Sequence, residues 1–154
     1  MDRRNASPLS LLIGGGLLVG TLDLLFAVAF WAPRGITLVD VLHAIATGWY
    51  GKRSHAMGSY SAFVGALSHY LIACAFVLAY WQAARRLPAL VRRPWAWGAV
   101  YGLALYAAMN FVVLPLSAAG PPGFADTAWV ASSIAVHVVI GLLCAGFARR
   151  ALRR

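Results

Sequence analysis

Apolar positions run through this chain in four long blocks, each closed by proline, glycine or arginine, with a shorter and more mixed block between the first two. The long blocks cover residues 9–32, 60–84, 95–118 and 127–148. Each exceeds the roughly 20 residues that a helix needs to cross hydrocarbon, so the pattern predicts four membrane spans. Ser7-Pro8 supplies a cap and a first-turn proline for the first block. Ala27-Val28-Ala29 offers a small-x-small cleavage pattern, but the apolar run is too long for a signal peptide and contains Asp23, so it reads as a retained span.

The mixed block, residues 36–50, is too short to span. Thr37, Asp40, His43 and Thr47 form a polar stripe opposite Leu38, Leu42, Ile45 and Trp49, which predicts an amphipathic helix in the membrane interface. Residues 51–59 read as a polar loop. The expected architecture is an all-α integral membrane four-helix bundle with one extra interfacial helix, forming a single domain over residues 1–154.

Composition agrees. Of 154 residues, 62% are hydrophobic and 11% charged; a soluble domain carries charge at roughly a quarter of its positions. The net charge of +9 would suit nucleic acid in a soluble protein. Here the basic residues sit at the ends of apolar runs, so nucleic acid is excluded and the charges read as topology signals and contacts to anionic lipid. Arg3, Arg4, Arg85, Arg86, Arg92, Arg93, Arg149, Arg150, Arg153 and Arg154 fall on one side, against Arg34, Lys52 and Arg53 on the other. Both termini are therefore expected in the cytoplasm. Trp31, Trp81, Trp95, Trp97 and Trp129 mark span ends, as an aromatic belt requires. Cys74 and Cys144 lie inside apolar runs as packing residues and give no disulfide framework.

Polar residues inside spans are expensive and point to function. Asp23, His69, Asn110 and His137 each occupy a different span, at depths of roughly 12 to 15 Å from the side opposite the termini. Each continues a stripe of small residues: Gly16-Gly20-Asp23, Gly65-His69-Ala73, Gly98-Gly102-Tyr106-Asn110 and Ser133-His137-Gly141-Ala145. Such stripes face neighbouring helices, within the bundle or in a homo-oligomer. In an up-down bundle the second and fourth spans would be diagonal, placing His69 opposite His137 and Asp23 opposite Asn110. Pro115 removes the helical donor to the carbonyl of Phe111, beside Asn110. His43 and His55 read as surface residues, with Asp40 and His43 as a possible outer lid.

The second half of the chain, from about Gly65 to Leu152, resembles the YagU-like inner-membrane proteins. The resemblance rests on His69, a proline after the inner end of that span, Pro115-Leu116 separated by four residues from Pro121-Pro122, His137, and the basic tail. It implies a small helical protein of the bacterial inner membrane and carries over no catalytic residue.

Three functions compete at this stage. The first is a proton or cation site of Asp23, His69 and His137 with Asn110, for transport or pH response; divalent metal is its variant, with mixed nitrogen and oxygen ligands. The second is b-type haem held by His69 and His137. The third is a non-catalytic scaffold whose polar layer sets helix register. Enzyme catalysis ranks below all three, because no nucleophile-and-base spacing, phosphate loop or metalloprotease motif occurs.

Overall fold

The computed structural model describes residues 7–153. The basic leader with Arg3 and Arg4, and Arg154 of the tail, lie outside the described residues. Among those described there is no strand: the chain forms α1 (Pro8–Trp31), α2 (Leu38–Tyr50), α3 (Gly58–Arg86), α4 (Pro88–Arg92), α5 (Pro94–Ala108), α6 (Leu114–Leu116) and α7 (Thr127–Leu152). A π-helical turn, Met109–Val113, joins α5 to α6, so that Pro94–Leu116 is one apolar rod. This rod, α7, α3 and the segment Pro8–Arg34 are four helices long and apolar enough to cross a membrane. Leu17, Leu25, Phe63, Leu71, Leu103 and Val139 stand exposed around the outside of the bundle. An apolar belt of that kind is stable against lipid and not against water.

The helix ends follow local rules. The Ser7 side chain accepts from the Ser10 N–H, with Pro8 in the first turn of α1. Thr37 and Asp40 form a reciprocal capping box on α2. Asp126 caps α7 through the Trp129 N–H at 2.9 Å. The same Asp126 carboxylate meets Arg34 at 2.9 Å, and the Arg34 guanidinium lies over the Phe30 and Trp31 rings at 5.0 and 4.7 Å. One arginine thereby ties the end of α1 to the start of α7, and Trp129 stacks on Phe26 beside it.

The arrangement differs from a square bundle. α7 is a central post, packed against α1, α3 and α5 together, while α1 also packs on α3. α3 and α7 therefore touch directly instead of facing each other across a diagonal. Glycine sets these approaches. A Cβ on Gly102 would collide with the carbonyl of His137, one on Gly141 with the carbonyl of Gly98, and one on Gly16 with the Cys74 side chain. The buried cluster built on these seams, with Val77, Tyr80, Leu105, Cys144 and Ala148, fills the half of the bundle nearer the chain ends. There Tyr101 reaches across from α5 and donates to the Phe76 carbonyl of α3 at 2.8 Å.

α2 packs across α3, where a Cβ on Gly65 would collide with the Leu42 carbonyl. Trp49 Nε1 donates to Ser68 Oγ at 2.9 Å, and the Ala118 N–H donates to the Gly48 carbonyl at 3.0 Å. The helix thus bridges α3 to the end of the Pro94–Leu116 rod. Its buried residues include His43, 7% exposed, whose Nε2 meets the Gly58 carbonyl at 3.0 Å. The amphipathic reading turned His43 outward; α3 covers it, because the close approach at Gly65 brings that side of α2 inside.

The seam is testable. Gly102→Ala must push α5 away from the α7 backbone and is expected to destabilise by about 1 to 3 kcal/mol. Gly146→Ala meets nothing within 4 Å and is expected to be neutral or slightly stabilising. Thermal unfolding of both variants in detergent, followed by circular dichroism, checks the contrast.

Candidate functional site

Above the packed half, the four spans part around a cavity of about 1220 Å³. Val19, Ala73 and Ile140 belong both to the buried cluster and to the cavity lining, so they form its floor. α2 and the residues around Pro122 contribute lining from the other end. Phe26, Trp31, Phe76, Tyr106 and Trp129 give it aromatic walls.

Asp23, His69, Asn110 and His137 all line this cavity. Their hydrogen bonds run to backbone carbonyls, and not between two facing pairs. His69 Nε2 meets the Gly20 carbonyl of α1 at 2.7 Å. His137 Nδ1 meets the Ser133 carbonyl one turn earlier at 2.9 Å, and the Tyr106 ring stands edge-on to its imidazole at 5.4 Å. Asn110 Nδ2 donates to the Tyr106 carbonyl at 2.9 Å.

That last bond explains the asparagine. The bond from the Leu114 N–H to the Met109 carbonyl closes a π-turn, the irregularity that accommodates Pro115 at the start of α6. Within the altered ladder the Tyr106 carbonyl accepts from the Met109 N–H and from the Asn110 side chain. Proline, π-turn and asparagine are therefore one local solution to the requirement that backbone groups in hydrocarbon be satisfied internally.

The protonation pattern follows from these partners. A carbonyl only accepts, so the ring nitrogen facing it must carry the proton. Neutral His69 then presents Nδ1, and neutral His137 presents Nε2, as an acceptor. Asn110, with its amide nitrogen engaged, is left with Oδ1, which also accepts. Asp23 accepts only, when ionised. Both imidazoles lie within Coulombic range of its carboxylate, yet no ion pair within 4 Å involves Asp23 among the described residues. The hydroxyl of Ser133, 6% exposed, has no hydrogen-bond partner among the described residues. Nor do three side chains among His, Cys, Asp and Glu converge closely enough to hold a metal ion, among the described residues.

Asp40 and His55 line the cavity as well, whereas His43 does not. The His55 ring stands edge-on to buried His43 at 5.7 Å. The Thr37 hydroxyl at 2.6 Å, then the Thr37 N–H at 2.9 Å, hold the Asp40 carboxyl below its ordinary range. Sequence reasoning did not find Ser133 as an unpartnered hydroxyl, nor the Arg34–Asp126 clasp. The asparagine, both histidines and the aspartate were visible because polar residues in an apolar run are rare.

Comparison with protein-family models, curated proteins and solved structures gives no match to this chain. What the fold defines is a class: an all-helical protein with four helices long and apolar enough to cross a membrane, as in a multi-pass membrane protein.

The Asp40 cap makes a pH-dependent prediction. Because its folded carboxyl titrates below its unfolded value, its contribution is fully present above the unfolded pKa of about 3.9 and is lost as pH falls through the lowered folded value. Asp40→Asn is expected to speed amide exchange in the first turn of α2 at neutral pH. The difference from the unsubstituted protein should vanish on acidification through that range, as read by hydrogen exchange with mass spectrometry.

Proposed function

We propose that the protein is a multi-pass protein of the bacterial inner membrane whose cavity is a proton- or cation-responsive site. Asp23, His69 and His137 act in it as one coupled titrating group, and Asn110 contributes a neutral acceptor. The observation that carries this reading is that four polar side chains from four different spans line one cavity, with the carboxylate among them lacking an ion-pair partner among the described residues. A scaffold layer would pair these groups with one another, since its only task is to join helices. Three of the four instead bond to backbone carbonyls and turn their remaining polar atoms loose.

In this reading both termini are cytoplasmic, following the excess of arginine on their side. The arginines there meet anionic lipid. α2 lies in the periplasmic interface, and the cavity is reached from that side. The resemblance to YagU-like inner-membrane proteins belongs to the same proposal.

Coupling is directly measurable in protein carrying ¹⁵N-labelled histidine. Asp23→Asn is expected to displace the pH response curves of the His69 and His137 ring signals. Curves that superimpose with and without the carboxylate would remove the coupled site.

A further inference from the structure

The cavity is far larger than a proton or an ion requires. One water occupies about 30 Å³ of liquid, and sites for small organic molecules span roughly 300 to 1,000 Å³. At about 1220 Å³ this one has room for an organic molecule with a substantial apolar body. Among the described residues none that lines it is lysine or arginine, so an organic anion finds no fixed countercharge.

The polar layer narrows the chemistry further. With Asp23 ionised, these four side chains offer acceptors: its carboxylate, the free ring nitrogens of neutral His69 and His137, and Asn110 Oδ1. The lining hydroxyls of Ser68, Tyr106, Ser117 and Ser133 can take either role. A layer of acceptors around a carboxylate without an ion-pair partner is the complement of a group that only donates and is positive. An ammonium, with three N–H donors and no acceptor, is that group. The aromatic walls suit the same guest, since ring faces attract cations and pack against apolar bodies.

We propose that this cavity binds a hydrophobic primary amine as its ammonium ion, with the charged head at Asp23 among the acceptors of His69, Asn110 and His137, and the apolar body between the aromatic walls. The proposal rests on the reading of Asp23 and the two imidazoles as a titrating site and adds the ligand class. The titratable groups lining the cavity are Asp23 on α1, Asp40 on α2, His55, His69 on α3, Tyr106 on α5 and His137 on α7. Protonation of His69 or His137 turns an acceptor into a positively charged donor, so protons and the amine compete. Binding is strongest where both rings are neutral.

The test uses one rigid apolar cage with different heads. Radiolabelled 1-adamantylammonium is equilibrated with the full-length protein in lipid nanodiscs, with empty nanodiscs subtracting membrane partition. Saturable binding, one per chain, is expected at about pH 8, weakening toward about pH 5. Asp23→Asn should weaken it roughly tenfold or more, as loss of a charged hydrogen-bonding partner does. Unlabelled 1-adamantanecarboxylate should fail to compete, and the trimethylammonium analogue, which keeps the charge and lacks donors, should compete poorly.

Competition by the carboxylate equal to that by the amine, or unchanged binding in a folded Asp23→Asn protein, overturns the proposal. The head-group series needs no variant, so the proposal can fail even where Asp23→Asn does not fold. The ligand-free histidine titration keeps the two claims apart: coupled titration without amine binding removes the ligand class alone, and uncoupled titration removes the site beneath it.

Discussion

An ionised carboxylate only accepts hydrogen bonds, and the polar groups around Asp23 have already committed donors elsewhere. His69 bonds to the Gly20 carbonyl, His137 to that of Ser133, and Asn110 to that of Tyr106. Each of these bonds solves a backbone or ring-orientation problem, and each leaves an acceptor as the side chain's remaining polar atom. In low dielectric an unpaired charge is costly, so this region favours whatever supplies positive donors. The cavity's chemistry follows from that single imbalance.

The rest of the molecule makes the imbalance possible by dividing the bundle lengthwise. In the half near the chain ends, the glycine approaches at Gly16, Gly98, Gly102 and Gly141 bring backbones together, and van der Waals packing is the main force that joins helices in lipid. Beyond Gly20 on α1 and Gly102 on α5, the stripes continue as Asp23, Tyr106 and Asn110. Larger side chains cannot sustain the same approach, and the spans diverge around the cavity. The wide end is held by different means: the Arg34–Asp126 ion pair, the aromatic stack of Phe26 on Trp129, and α2 laid from α3 to Ala118. α2 is consequently a wall of the site as well as a connection.

Much of this was legible beforehand, for reasons that differ by element. The four long helices follow from run length alone, and their observed ends lie close to the proline, glycine and arginine boundaries. Counting residues inward put Asp23, His69, Asn110 and His137 at similar depths, because helical rise converts sequence position into depth, and all four line the cavity. Helix adjacency was not legible. Nothing in the stripes of α3 and α7 said that they would touch directly, since a small-residue stripe specifies a close approach but not its partner. His43 was misplaced for a related reason. Amphipathicity divides a helix into two faces, whereas α2 has α3 on one side, the cavity on another and the surroundings on a third. The Arg34–Asp126 pair joins residues far apart in sequence, and no local pattern announces it.

The central claim is that side chains from different spans share one interior space, and short-range cross-linking tests it most directly. In protein with Cys74 and Cys144 replaced, cysteine pairs at positions 23 and 69 and at 23 and 137 would be treated with a short bifunctional thiol reagent in native membranes. The account predicts intramolecular cross-links for both pairs and none when the first cysteine is moved to position 25, where Leu25 faces outward. Cross-linking from position 25 as efficient as from position 23, or none from either, would contradict it.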